Sequence, residues 1–502
     1  MSPMHSRRTI AVVMIALLLT ACGSQLSPSE VAKMNGGTAG NGQLGGEAVG
    51  GGLAPGGDGS GTDPGTGDAV GAGGGGAAAG PAGAGAGGAG AAGGAGGSGS
   101  GGASGTPATS GKGAANGGVK AGSCAGFKNQ TGITDKTITI ASVADISGPV
   151  PGIFEASQQA TRAYVDYFNS QGDICGRKLA VENLDSRADA GADQAAYVKA
   201  CNDAFASVGS MGAFDSGGAA PAEKCGLPDI RAAMTTPERA KCGTCFGVYS
   251  VRPNLIADSG PKWLMKKYPE ATKSVGMLYI NAGAAVVNSK SEAAAWAKIG
   301  WGVKYLQGID VAEFNFAPYV QQLKDRGIKM VVYLGNYQNT VKLQQAMKQQ
   351  GYKPDVFMQD PTMYDARYIQ QAGDLAEGVL VYSTIDLFEN TANKEIQTYL
   401  SWLQQVKPGA IPNFYGMFSW SAARLFAEQA TALGGKLDRK TMVDALRKVN
   451  DWTGNGAHTA MRVGRAETPP CQKIIQYKSG KWQQISPGSW LCGGLVNSGI
   501  GG

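Results

Sequence analysis

The fold is decided by residues 137–184, which read TITIASVADISGPVPGIFEASQQATRAYVDYFNSQGDICGRKLAVENL. Residues 137–143 alternate β-branched and small side chains, a pattern that predicts a strand. Residues 155–171 repeat alanine and aromatic side chains at helical spacing, which predicts an amphipathic helix. A second strand is expected at 179–184. A strand, a helix and a further strand in so short a stretch indicate a unit of parallel β-sheet.

The same alternation continues in two series. Further strands are predicted at 205–211, 229–233, 274–280, 329–334, 356–358 and 378–383. Further helices are predicted at 190–202, 219–224, 259–268, 289–299, 318–326, 340–350, 395–407, 415–433 and 439–449. A hairpin at 473–485 should turn at Ser479-Gly480. Because this alternation builds parallel sheets with helices on both faces, the expected fold class is α/β, with two doubly wound parallel-sheet lobes.

The first residues predict an export signal. Arg7 and Arg8 precede an apolar run at 10–21, which is shorter than the roughly 20 residues that span a bilayer. The run ends in LTACG (19–23), which resembles the lipobox of bacterial lipoproteins. The resemblance implies a signal peptide at 1–21 and a lipid anchor on Cys22. An ordinary signal peptide with an incidental cysteine is the alternative.

Residues 22–122 are predicted to form a disordered tether. From 36 onwards glycine and alanine dominate, and the first aromatic residue of the chain is Phe127. Such a composition cannot bury enough surface to offset the entropy lost on ordering. About 375 residues remain, too many for one hydrophobic core and suited to two lobes.

Charge and histidine content exclude several functions. The formal net charge is +6, without a basic run, so no nucleic-acid partner is expected. Once His5 is removed with the signal, His458 is the sole histidine. A histidine-based triad or a multi-histidine metal site therefore cannot be built. We expect a protein that is not an enzyme and that holds no metal and no cofactor.

The cysteine content favours disulfides. Eight cysteines remain after Cys22, an even number that is typical of exported disulfide-bonded proteins. No second CxxC or histidine pair accompanies CGTC (242–245), so a tight disulfide is favoured there over zinc binding or thiol chemistry. Proximity in sequence or between neighbouring elements suggests the pairs Cys242–Cys245, Cys471–Cys492, Cys124–Cys175 and Cys201–Cys225.

A series of short motifs carries a family resemblance. In chain order they are DISGP (145–149), QGDICGRKL (171–179), FAPYV (316–320), GYKP (351–354) and SAARL (421–425). Their order over residues 135–487 resembles the type I periplasmic-binding-protein family, in its branched-chain amino-acid (Leu/Ile/Val) binding branch. The resemblance implies two lobes joined by three crossing strands, near 253, 382 and 456, that close on a ligand like a hinged clamp.

The resemblance also implies a division of the chain. The first lobe comprises 123–253 and 383–456, and the second comprises 254–382. Residues 457–502 would return to the second lobe as a C-terminal hairpin and tail.

Ligand contacts in the first lobe follow from the same resemblance. FDSGG (214–218) and AMTT (233–236) each come after a predicted strand, where ligands bind in open α/β sheets. The resemblance implies that a ligand carboxylate meets the Ser216 hydroxyl, the Ala233 backbone and the Thr235 hydroxyl. A helix-capping role is the alternative for Ser216.

Second-lobe contacts are implied at Tyr337, an aromatic after a predicted strand, and at Asp360, an acidic group for a ligand ammonium. The alternative for Asp360 is the start of an Asp-Pro turn. Trp420 is implied as an aromatic lining the cleft, with a core position as its alternative.

Two departures from the family pattern indicate a pocket that is wider or differently shaped. An aromatic that the family often carries falls near Ile153 and Phe154, and a second-lobe Tyr-Gly falls in AGAA (282–285). The resemblance therefore supports the fold more strongly than it supports Leu, Ile or Val as the ligand.

The function that these expectations favour is capture of a small amino-acid-like molecule for an ABC importer. The partners would be a membrane permease and its ATPase subunits, with a monomer held at the outer face of the cell membrane by its lipid anchor. A ligand-sensing receptor that feeds a signalling partner is the alternative.

The lipid anchor can be tested directly. Cys22→Ala removes the acceptor of the lipid, so the variant should either be released from the membrane or keep its signal peptide. Fractionation and detergent partitioning measure the result. A variant that is processed and partitions like the wild-type protein contradicts the anchor.

Overall fold

The computed structural model describes residues 119–501. The signal peptide, Cys22 and nearly all of the tether lie outside the described residues. The folded part has a five-stranded parallel sheet and an eight-stranded sheet with a parallel centre, each flanked by helices, and a two-stranded antiparallel sheet. The α/β fold of two doubly wound lobes predicted from the sequence is therefore confirmed.

The first lobe contains a five-stranded parallel sheet in the order β2-β1-β3-β4-β5. Its strands β3 to β5 are buried along their whole length, as expected for a sheet covered on both faces. The elements are β1 (Thr137–Ala144), α1 (Glu155–Gln171), β2 (Lys178–Asp185), α2 (Ala190–Asp203), β3 (Ala206–Val208), α3 (Ala219–Cys225), β4 (Asp229–Met234), α4 (Pro237–Lys241) and β5 (Cys245–Ser250).

The second lobe is built around strands β7 to β11, which pair in parallel. Its elements up to the second crossing are β6 (Leu255–Ala257), α5 (Ser259–Lys267), α6 (Pro269–Thr272), β7 (Val275–Ile280), α7 (Ala284–Lys298), β8 (Val303–Ile309), α8 (Ala317–Asp325), β9 (Met330–Leu334), α9 (Tyr337–Gln349), β10 (Val356–Gln359), α10 (Ala366–Ala372) and β11 (Leu380–Ser383). Helix α7 begins five residues before the predicted 289. No side chain caps its N-terminus, so the sequence carried no start signal there.

The chain then returns to the first lobe, where α11 (Lys394–Val406) and α12 (Phe414–Leu433) pack on α1, and α13 (Arg439–Leu446) packs on α12. The last strands are β12 (Cys471–Lys478), β13 (Lys481–Gln484), β14 (Leu491–Cys492) and β15 (Leu495–Asn497). β12 pairs antiparallel with β11 and β13, and Ser479 and Gly480 both have positive φ, which suits a two-residue hairpin turn.

Three connections join the lobes, at 251–254, 384–387 and 466–470. The third lies about ten residues after the predicted 456. The intervening segment stays on the first lobe, because the Gly464 N–H donates to the Val449 carbonyl and the Trp452 N–H donates to that of Met461.

The eight cysteines of the described chain form four disulfides, and these are the pairs suggested by the sequence. Cys124–Cys175 fixes the entry into the first lobe beside β2, while Cys201–Cys225 joins α2 to α3. Cys242–Cys245 closes the turn before β5, and Cys471–Cys492 joins β12 to β14.

Peptide mapping of the unreduced protein should recover these four cross-linked pairs. Removing a native disulfide costs about 2–5 kcal/mol in a typical small exported domain. We therefore expect reduction to lower the midpoint of urea unfolding. Mostly free thiols in the purified exported protein would contradict the assignment.

Candidate functional site

A cleft open to solvent lies between the two lobes, and the empty space in it, including the part shared with solvent, is about 1170 Å³. Its walls are formed where strands of both sheets end, since Asp145, Thr235 and Val251 follow β1, β4 and β5 of the first lobe. Asp360 follows β10 of the second lobe in the same way. Loops and helix starts converge at such strand ends, which is where open α/β sheets bind ligands.

Most of the cleft wall is apolar. The apolar side chains are Pro149, Val150, Ile153, Phe154, Met211, Phe214, Val251, Ile280, Val311, Leu334 and Pro361, with alanines at 188, 213, 282, 284 and 285. Both departures from the family pattern, at 153–154 and 282–285, lie in this wall. The described residues that line the cleft include no lysine, arginine or histidine.

Asp145 lines the cleft but is fully engaged by its own lobe. One carboxylate oxygen accepts from the Ser186 hydroxyl at 2.6 Å and the Ala188 N–H at 3.0 Å. The other accepts from the Ala213 N–H at 2.8 Å. Asp145 therefore shapes the loop rather than offering a free group to a ligand.

Asp360 presents a second carboxyl group to the cleft. Its Oδ1 accepts from the Thr362 N–H at 2.9 Å and from the Thr362 hydroxyl, so it also caps the 3₁₀ turn at Pro361–Met363. Burial raises the pKa of Asp360 to about 7, although the bonds from Thr362 act in the opposite direction.

Glu292 presents a third carboxyl group, from α7. Its Oε1 accepts from the Tyr382 hydroxyl at 3.1 Å. Burial raises the pKa of Glu292 to about 8, and the nearby Asp360 adds to the shift. At neutral pH the empty cleft therefore holds Glu292 largely protonated.

Tyr249, Tyr382 and Tyr415 surround these carboxyl groups. All three line the cleft, and burial raises the pKa of each phenol. They stay protonated in solution at ordinary pH, so their hydroxyls can donate hydrogen bonds to a ligand or to the carboxyl groups.

A smaller chamber lies behind the cleft and shares Tyr249, Val251, Glu292 and Tyr382 with it. The rest of its wall is largely apolar and includes Ile256, Leu264, Trp296, Met358 and Ile474. The shared residues thus stand between two apolar spaces.

The two lobes touch directly at the edge of the cleft. The Ala284 N–H donates to the Ala213 carbonyl oxygen at 3.0 Å. At Gly283, whose φ is +53°, a Cβ atom would lie 2.5 Å from that same oxygen. The Arg367 guanidinium also donates to the Gly152 carbonyl at 3.3 Å. These contacts describe a closed clamp.

Of the six predicted ligand contacts, Thr235 and Asp360 line the cleft from opposite lobes. Tyr337 lines an adjoining pocket of about 360 Å³, where the Arg367 guanidinium lies 5.3 Å from its ring centre.

Ser216 and Ala233 are not among the cleft-lining residues. Ala233 is 1% exposed inside β4. The turn that carries Ser216 packs onto the first lobe, since the Gly218 N–H donates to Asp193 and the Thr236 hydroxyl to Asp215. Phe214 faces the cleft in its place. The buried aspartates thus hold the turn against its own lobe.

The prediction that Trp420 lines the cleft is wrong. Trp420 is fully buried in α12, and its ring packs against Tyr164 and Tyr167 of α1. Its indole N–H donates to Glu395 at 2.6 Å. The apolar face of α12 covers the core of the first lobe.

Sequence reasoning missed Asn288, Glu292, Tyr249 and Tyr382. The available signal was a glutamate among the alanines of α7, in SEAAAWA (291–297). An acidic residue in an otherwise apolar, buried helical segment is a candidate functional residue.

Two further kinds of feature, a membrane-spanning helix and a metal site, are absent from the described residues. No helix within 119–501 is long and apolar enough to cross a membrane. The same residues contain no group of three or more His, Cys, Asp or Glu side chains placed to hold a metal ion.

A two-lobed clamp around a ligand-sized cleft defines a class of binding protein, and the sequence agrees. Residues 137–481 match the periplasmic binding protein family, so the chain belongs to that family. None of the curated proteins matches the sequence.

Solved structures share the fold. A fatty acid ABC transporter substrate-binding protein from Thermomonospora curvata has a TM-score of 0.62 and 18% identity, covering 72% of this chain and 94% of its own. The isoleucine complex of a branched-chain amino acid transporter binding protein from Streptococcus pneumoniae has a TM-score of 0.60 and 18% identity, covering 70% and 100%. A solute binding protein from R. palustris in complex with 4-hydroxybenzoate has a TM-score of 0.58 and 16% identity, covering 70% and 96%.

The protonation of Glu292 predicts how stability varies with pH. The folded protein holds a proton with a pKa of about 8 that the unfolded chain releases near 4.5. This carboxyl group therefore reduces stability progressively as pH rises between those values. Glu292→Gln should gain at least about 1 kcal/mol relative to the wild-type protein between pH 5 and pH 8.5.

Urea unfolding at the two pH values measures the difference. Glu270→Gln is the matched control, because the Glu270 side chain is 65% exposed in the same lobe. Equal pH dependence in the wild-type protein and Glu292→Gln would show that Glu292 is ionised in the folded protein.

Proposed function

We propose that this protein is the extracytoplasmic capture component of an ABC importer and carries a small molecule in its interlobe cleft. The observation that carries the proposal is the cleft itself, which is lined from both lobes at the strand ends and spanned by the Ala284–Ala213 hydrogen bond. Contacts on both lobes make a ligand favour the closed state, and such differential affinity is what drives closure.

Thr235 and Asp360 are the proposed ligand contacts. They face the cleft from opposite lobes, so the Thr235 hydroxyl can serve a ligand carboxylate while Asp360 serves an ammonium. Both ligand charges lose water when the clamp closes, and each then needs a partner. An amino-acid-like zwitterion or a related amide meets this requirement.

The apolar wall supports a ligand with a sizeable apolar body. Structural relatives bind isoleucine and 4-hydroxybenzoate, and another is described as a fatty acid transporter component. The alanines at 282–285 leave space where the family often carries an aromatic. The proposed ligand is therefore an amphiphile, larger than the smallest amino acids.

The proposed function also specifies a location, an oligomeric state and transport partners. Membership of the periplasmic binding protein family supports an extracytoplasmic location. We propose a monomer without catalytic activity, tethered through Cys22 and engaging a membrane permease with its ATPase subunits.

Substitution at the two contacts tests this assignment. A thermal-shift screen over amino acids, amides, urea and short organic acids first identifies a binding compound, and calorimetry then measures its affinity. Asp360→Ala should weaken binding by about 2–5 kcal/mol, because it leaves a buried ammonium without its partner. Thr235→Ala should cost about 1–3 kcal/mol through the loss of a hydrogen bond to a charged group.

Asp355→Ala is the matched control for Asp360→Ala, because Asp355 is exposed at the other end of β10. Its affinity should equal that of the wild-type protein. If Asp360→Ala also binds unchanged, the ligand carries no ammonium at that position.

A further inference from the structure

Two acceptor oxygens on α7 are buried at the cleft without any hydrogen-bond partner. They are Oδ1 of Asn288 and Oε2 of Glu292. Both residues line the cleft, and Glu292 is only 6% exposed. Four residues apart on one helix, the two side chains lie on the same face, one turn from each other. The cleft therefore contains a paired acceptor site.

The lack of a cation beside Glu292 contrasts with several buried acidic groups away from the cleft in the described part of the chain. In the first lobe, Arg239 pairs with Asp229 at 2.7 Å, and Arg424 pairs with Glu395 at 2.7 Å. Near the hinge, Lys473 pairs with Asp386 at 2.6 Å. Neither Glu292 nor Asp360 forms an ion pair with any residue in the described chain. The protein thus leaves its carboxyl groups without cations at the cleft.

An unsatisfied carboxylate or amide oxygen differs from an unsatisfied hydroxyl. Ser289 and Ser291 of α7 are also buried without partners, but a serine hydroxyl can rotate towards a carbonyl of its own helix. The Asn288 oxygen can only accept, and Glu292 can only accept once an approaching cation has lowered its pKa and displaced its proton. Burying such an acceptor without a partner is unfavourable. A ligand that supplies N–H groups removes this cost.

The surroundings of the pair indicate what carries those N–H groups. Glu292 also lines the smaller chamber, whose wall is largely apolar. Asp360, the proposed contact for the first ligand charge, belongs to a different element, the turn after β10. A ligand that reaches both sites needs a second polar group in addition to the one that Asp360 holds.

We propose that Asn288 and Glu292 form a second recognition site in the cleft, which binds an amine or primary amide on the ligand. This inference rests on the proposed function, because it assigns a further part of the same ligand. It narrows the ligand class to molecules with an N–H-bearing terminal group in addition to the group held by Asp360.

Matched compounds test the second site by calorimetry on the purified full-length protein. Lysine is compared with norleucine, and hexane-1,6-diamine with hexylamine, so that each pair differs by one terminal amine. Glutamine is compared with methionine for the amide. The diamine pair has no carboxylate and therefore reports on Glu292 even where the amino-acid head group is wrongly assigned. In at least one pair, the member with the terminal N–H group should bind about ten-fold tighter or better.

Variants then assign the preference to the two side chains. Glu292→Leu should reduce the preference to within about two-fold, and Asn288→Ala should reduce it in part. Glu292→Gln keeps one acceptor oxygen, so it should retain the amide preference more than the amine preference. Glu270→Gln, an exposed change in the same lobe, should leave every affinity unchanged. Circular dichroism confirms that each variant is folded.

Two results overturn the second site. One is that, in every pair, the compound without the terminal N–H group binds the wild-type protein as tightly as its counterpart, or more tightly. The other is a preference that persists in Glu292→Leu. Isoleucine or another compound of the first screen can bind while lysine, hexane-1,6-diamine and glutamine do not bind. In that case the importer role stands and the second site is wrong. If no compound of either set binds, both proposals fail.

Discussion

A carboxyl group that is removed from water needs a proton, a positive charge or hydrogen-bond donors, and this requirement organises the protein. In the first lobe the requirement is met internally, by Arg231 and Arg239 beside three buried aspartates and by Arg424 beside Glu395. At the cleft it is met by protons on Glu292 and Asp360, whose pKa values are raised by burial. The first arrangement is fixed, whereas the second can be exchanged for a ligand.

The arrangement of the two sheets explains why both lobes meet at this point. In a parallel sheet all strands end at the same edge, so the loops after β1, β4 and β5 face those after β7, β9 and β10. All three connections between the lobes contribute wall residues: Val251 lines both spaces, and Thr384 and Thr468 line the smaller chamber. A hinge motion therefore changes the shape of both spaces at once.

The sequence predicted the elements well because most have strong periodicity. Helix α1 and the hairpin at Ser479-Gly480 were placed correctly. Thr235 and Asp360, which the family resemblance implied as ligand contacts, both line the cleft directly after a strand. Trp420 was misplaced because the apolar face of a helix can cover a core as well as a cleft. The contacts of the 214–218 turn depend on aspartates distant in sequence, which periodicity cannot reveal.

The contact between the lobes at Gly283 has a consequence for how such proteins change during evolution. The hydrogen bond from Ala284 to Ala213 joins two backbones, so its chemistry does not depend on which side chains surround it. Substitutions in the cleft wall can alter the surface that faces a ligand while this contact between the lobes is kept. The selectivity of the cleft and the contact that joins the lobes can thus change independently of each other.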